Sequence, residues 1–134
     1  MRQPTPSATE LEHRAAIVRS FVEAIATQDA SQLRGLLATS VRFRAVTPRR
    51  FWEADTAPVA VDEIVLGTWF DDAVTVLALE EVEVDNLVDV TGVRYRMRVL
   101  EKDVEYIVEQ SGYLHVNGDL IDDIRLVCSG FLPA

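Results

Sequence analysis

The stretch "GVRYRMRVLEKDVEYIVEQ", residues 92–110, constrains this chain most. Arginine stands at 94, 96 and 98, with Val93, Tyr95, Met97 and Val99 interleaved. Side chains alternate across a β-strand, so this spacing puts the cations on one face and the apolar groups on the other. A tight turn at Lys102–Asp103 pairs Val99 with Tyr106, Met97 with Val108 and Tyr95 with Gln110. The same register sets Arg96 opposite Glu109 and Arg98 opposite Ile107. The arginine face is expected to be the solvated outer side of a curved sheet, laced by cross-strand ion pairs, rather than a phosphate-binding stripe.

The dry face needs a cover, and the N-terminal third supplies one. Leu11, Ala15, Val18, Val22 and Ile25 recur at helical spacing, with Ile17 and Phe21 widening the stripe, which predicts a helix to about Thr27. Ser7 with Glu10, or Thr9 with Glu12, fits its capping box. Asp29 with Gln32 caps a short second helix carrying Leu33, Leu36 and Leu37; the cap accounts for Asp29 without a catalytic role. "SVRFRAVTP" alternates as a strand, with Val41, Phe43 and Ala45 on one face. Residues 49–58 read as a loop and 59–70 as a helix. Strands follow over about 74–84, 88–101, 104–116 and 120–128, the last two joined at an Asn-Gly dipeptide that signals a hairpin. Helices followed by a meander give an α+β fold, with the helices packed on one face of an antiparallel sheet. Residues 1–8 read as a flexible N-terminal segment and 9–134 as one domain.

Composition excludes several classes of function. A formal charge of −9 argues against nucleic acid, where affinity comes from neutralising phosphates. The imbalance is local: residues 1–50 hold eight arginines against four acids, and 71–109 hold eleven acids against four bases, which is read as ordinary surface. Cys128 is the only cysteine, so no internal disulfide forms. Its apolar neighbours make it a small core residue rather than a reactive thiol. No apolar run reaches the ~20 residues of a membrane span, and no signal-peptide pattern opens the chain, so the expected location is cytoplasmic. No metal-ligand cluster, phosphate-cradling loop or nucleophile elbow is present, and neither metal nor cofactor is expected.

Three stretches carry a likeness. "IVRSFVEAIATQDASQLRGLLATSVRF" resembles the long helix, break, short helix and first strand of the nuclear transport factor 2-like superfamily, which includes SnoaL-like polyketide cyclases and ketosteroid isomerases. "VRYRMRV" resembles its pocket-forming strand, and "GDLIDDIRLVCSGFLP" its closing strand and tail. The resemblance implies a cone-shaped α+β roll around a pocket and a homodimer through the outer sheet face. It also implies where catalytic groups would stand. The tyrosine and base of the ketosteroid isomerases fall on Phe21 and Ala45, and the second acid on or beside Gly112, so all three polar groups are missing. The paired histidines of a scytalone-dehydratase-like site have only His13 and His115 to draw on. A cyclase-like carboxylate, or the Asp–Arg–Asp cluster of an epoxide-hydrolase-like site, would need Asp123 and Arg125 turned inward, whereas strand parity turns them out unless a bulge intervenes.

The implied pocket is lined by Phe21, Phe43, Trp52, Trp69, Tyr95, Met97, Gln110 and Cys128, an apolar surface with a few polar groups, as small-molecule sites have. Tyr95, Tyr106 and Asp123 are the candidate proton donors or acceptors. Two readings follow. One is a domain binding an apolar or aromatic small molecule, with or without cyclase-, isomerase- or dehydratase-type turnover. The other is a non-catalytic dimeric scaffold or accessory subunit with a vestigial pocket.

Overall fold

The computed structural model describes residues 5–134. Helix α1 spans Ala8–Ala26, and the Ser7 hydroxyl accepts the Glu10 N–H at 3.1 Å, so Ser7 is the cap. The helix thus starts inside the segment 1–8 that was expected to be loose; residues 1–4 lie outside the described residues. Val18, Phe21, Val22 and Ile25 form its buried stripe, each such side chain contributing about 1.5–3 kcal/mol on burial. Helix α2 spans Ala30–Gly35, with the Asp29 carboxylate accepting the Gln32 N–H at 3.0 Å. Between the helices Gln28 takes a positive φ of 53°. Its amide donates to the Phe70 and Val74 carbonyls and accepts the Val76 N–H, tying the end of α1 to the start of the meander.

Leu37 does not extend α2 as expected: it opens strand β1, Leu37–Thr47, because the helix stops at Gly35. Residues 50–54, expected within a loop, form β2, Arg50–Ala54, which folds back on β1 with Ala45 opposite Trp52. The tight return at Arg49, φ 67°, makes this hairpin possible. The expected helix over 59–70 is present as a π-helix, Val59–Trp69, with the Phe70 N–H reaching back five residues to the Val65 carbonyl.

The meander is β3 (Val74–Asn86), β4 (Thr91–Glu101), β5 (Val104–Asn117) and β6 (Leu120–Cys128), closed by a short β7 (Leu132–Pro133). The seven-stranded sheet runs β2-β1-β6-β5-β4-β3, with β7 on β5. The pairings of Tyr95 with Gln110, Arg96 with Glu109 and Met97 with Val108 are those the sequence predicts. Lys102 and Asp103 both take positive φ, as a two-residue hairpin turn requires. The β5–β6 hairpin turns at Gly118–Asp119, with Asn117 opposite Leu120. One pairing departs from the antiparallel expectation: β1 runs parallel to β6, so the sheet is mixed.

The sheet is strongly curved and does not close into a barrel. Gly112 shows how tightly it is drawn together, since a Cβ there would overlap the Arg125 carbonyl of β6. Helix α1 lies against β3, β4 and β5, and the enclosed face holds the core. Among the described residues no helix is long and apolar enough to cross a membrane.

Candidate functional site at the mouth of the cone

On the enclosed face, a polar row crosses three neighbouring strands. Tyr95 on β4 is opposite Gln110 on β5, which is opposite Cys128 on β6. The Tyr95 hydroxyl donates to Gln110 Oε1, and both residues are 1% exposed. With its oxygen so engaged, Gln110 is left with a buried Nε2 donor that has no acceptor. Burial, reinforced by the nearby Cys128, pushes the Tyr95 phenol well above its usual pKa of 10.0, so it stays neutral.

Next to this row lies a groove of about 560 Å³ whose walls include Trp52, Trp69, Phe70, Cys128 and Phe131. Trp69 comes from the end of the π-helix and packs against Phe43 at 5.8 Å between centroids and edge-on to Trp52 at 5.9 Å. The Trp52 indole donates to Thr47 Oγ1 at 2.8 Å, and the Arg50 guanidinium covers its ring at 3.5 Å. Trp69 Nε1, in contrast, is a second buried donor without an acceptor. Buried polar groups are nearly always hydrogen-bonded, so each such N–H marks a place for an acceptor atom.

The predicted site residues therefore divide. Trp52, Trp69 and Cys128 meet at the groove, with Tyr95 and Gln110 one strand or two behind Cys128. Phe21, Phe43 and Met97 are fully packed in the core. Tyr106 is half-buried and packs on Phe131 at 5.5 Å. Asp123 lies on the outer face, 3.4 Å from Arg125. A bulge does intervene on β6, but the extra residue is Asp122: the register steps from His115–Asp123 to Val116–Ile121. It keeps both Ile121 and Ile124 buried and leaves the two aspartates between them on the outside, where Asp122 meets His115 at 2.6 Å. Among the described residues no group of three or more His, Cys, Asp and Glu side chains is placed to hold a metal.

Sequence reasoning passed over Phe70 and Phe131, whose rings stack 6.3 Å apart at 19°. The aromatic residue after "SG" was the one available signal. On the opposite face the arginine stripe is an ion-pair ladder. Arg98 reaches Glu105 at 3.1 Å and Glu80 at 3.3 Å; Arg96 reaches Glu80 at 3.5 Å and Glu109 at 3.8 Å. The hydrogen bond to Glu105, then the Glu80 charge, raises the Arg98 pKa further.

No protein-family model matches the sequence, and no curated protein matches it either. Solved structures match over most of their length. An LEH-like epoxide hydrolase from M. tuberculosis superposes with a TM-score of 0.69 at 11% identity, covering 88% of this chain and 84% of that one. A protein from Xanthomonas campestris provisionally assigned as a polyketide cyclase gives 0.67 at 12% identity, covering 87% and 90%. An NTF2-like protein from Burkholderia thailandensis gives 0.64 at 14% identity, covering 87% and 90%. At such identities the likeness concerns architecture alone: this chain has the nuclear transport factor 2-like fold.

Proposed function

We propose that the domain binds an uncharged apolar or aromatic small molecule that enters through the mouth of the cone and presents a hydrogen-bond acceptor to its interior. The observation that carries this reading is the pair of buried donors, Trp69 Nε1 and Gln110 Nε2, left without acceptors beside an aromatic groove. An anionic ligand would be disfavoured, because the one charged residue lining the groove is Glu101 and the row behind it offers only a neutral phenol and an amide. A ligand oxygen in that space would be polarised by N–H donors, the arrangement that stabilises developing negative charge in acyl and enol chemistry. Proton transfer has weaker support: the Tyr95 hydroxyl is committed to Gln110, and Asp123 stands on the other face. The test is a thermal-shift screen against neutral hydrophobic ketones, esters and ethers. Ligands that stabilise wild type, and stabilise Gln110→Leu or Trp69→Phe at least tenfold more weakly by Kd, are the expected result. A silent screen would defeat the proposal.

The dimeric-scaffold reading has its own observation. Val46, Phe51, Tyr113 and Val127 are each about half exposed on the outer sheet face. They share a groove of about 620 Å³ with Arg94, Arg125, Glu83 and Asp85, charges of both signs that a two-fold contact could pair. A second copy of this chain is the occupant this face fits, in a reducing compartment where the lone thiol persists. Light scattering at micromolar concentration should give twice the chain mass, reduced to one by Phe51→Glu. A wild-type monomer would remove this reading.

A further inference from the structure

We infer that residues 130–134 form a strap along one wall of the groove, hinged at Gly130 and latched by Phe131, and that its opening governs entry to the buried donors of the proposed binding site; the inference concerns regulation of that site and so rests on the reading above. The chain is firmly held as far as Ser129. The Ser129 N–H donates to the Glu109 carbonyl at 2.8 Å, and its hydroxyl accepts the Glu109 N–H at 2.9 Å. The next residue turns sharply. Gly130 has φ 73°, and a Cβ there would press on the Pro48 ring at 3.0 Å, so a glycine is needed for the path the chain takes.

Beyond this hinge the attachments thin out. Strand β7 is two residues long, paired as Ile107 with Leu132 and Tyr106 with Pro133, and proline has no N–H to add to a ladder. Leu132 is 43% exposed. What holds the strap in the groove wall is the Phe131 ring, set between Phe70 of the same groove and Tyr106 of β5. Cys128 lines the groove beside it, buried, its sulfur accepting a long 3.4 Å hydrogen bond from the Gly130 N–H. A segment with few backbone bonds next to a fixed scaffold is the part of a fold that opens locally, at much lower free energy than global unfolding.

Cys128 is the only thiol in the chain, so it reports strap opening without any ligand. The experiment is the rate of its reaction with 5,5′-dithiobis(2-nitrobenzoic acid) in the native protein, Phe131→Ala, Phe131→Tyr and Gly130→Ala. In the wild type the rate should be at least tenfold below that of the urea-unfolded chain, and insensitive to low urea, the mark of local opening. Phe131→Ala should react at least tenfold faster than wild type and Phe131→Tyr near the wild-type rate. Gly130→Ala should be accelerated from the hinge end. If Phe131→Ala unfolds, Phe131→Leu takes its place, with folding verified by circular dichroism. A wild-type rate equal to that of the unfolded chain, or equal rates in wild type and folded Phe131→Ala (or the Phe131→Leu that replaces it), would overturn the strap. A silent ligand screen combined with the expected labelling pattern would instead leave the strap standing and remove the binding reading.

Discussion

The two faces of β4 are built from alternate residues of one short stretch and obey opposite chemistry. On the inside, Val93, Tyr95, Met97 and Val99 are excluded from water, and a single polar atom without a partner is an expensive exception. On the outside, Arg94, Arg96 and Arg98 stay partly exposed and share Glu80, Glu83, Glu105 and Glu109 as partners. The one buried N–H there without a hydrogen bond, Arg96 Nε, has the Glu80 carboxylate 3.5 Å away. Exposed ion pairs contribute little, because water and salt screen them. A ladder of close charges on the outer face is an ordinary way to keep a sheet soluble, whereas two silent N–H groups on the inner face call for an acceptor.

Substitutions on the inner face should cost far more than those on the outer face. Gly112→Ala places a methyl group against the Arg125 carbonyl on the inner side of the bend. It should destabilise the fold by about 3 kcal/mol or more, or prevent folding, as urea denaturation would measure. Met97→Ala, which empties a fully buried site, should cost about 2–5 kcal/mol in the same assay. Tyr95→Phe removes only a hydroxyl, yet strands Gln110 Oε1 in the core, and about 1–3 kcal/mol should be lost; a loss within error would mean that the inner polar row is wetter than its burial indicates.

The raised Tyr95 pKa gives a pH test of the same row. The folded phenol releases its proton at higher pH than the unfolded one, so between the two values the unfolded chain binds fewer protons. This contribution is complete below pH 10.0 and is lost as pH rises beyond it toward the folded value. The urea midpoint of wild type should therefore fall above that pH more steeply than that of Tyr95→Phe. Parallel slopes would show that the phenol is solvated. The smallest effect is expected outside: Arg98→Gln should leave Tm almost unmoved and make it less sensitive to salt. A large loss there would contradict the solvated-face reading.

Particular elements show what could be read early. The β4–β5 hairpin was legible to single residue pairs because its register depends on a local turn and on strict alternation, both written in one stretch of 19 residues. The Ser7 and Asp29 caps were legible for the same reason, each being a bond to a backbone group three residues away. Strand β2 was hidden because the strand is short and flanked by residues typical of loops; only β1 alongside makes "RFWEA" extended. The bulge at Asp122 was likewise beyond a parity rule, since it follows from how β6 fits against β5. Phe131 was passed over because its partners lie 61 and 25 positions away in the chain.

Local sequence set which side chains share a strand face, where the helices are capped and how β4 pairs with β5. These are short-range matters of stereochemistry and solubility. Tertiary structure alone decided that β1 lies parallel to β6, that Trp69 meets Cys128 at an aromatic mouth, and that two donors there have no acceptor. The physical reason is that hydrogen-bond partnership and access to water are properties of a surrounding volume, and that volume is assembled from segments far apart along the chain.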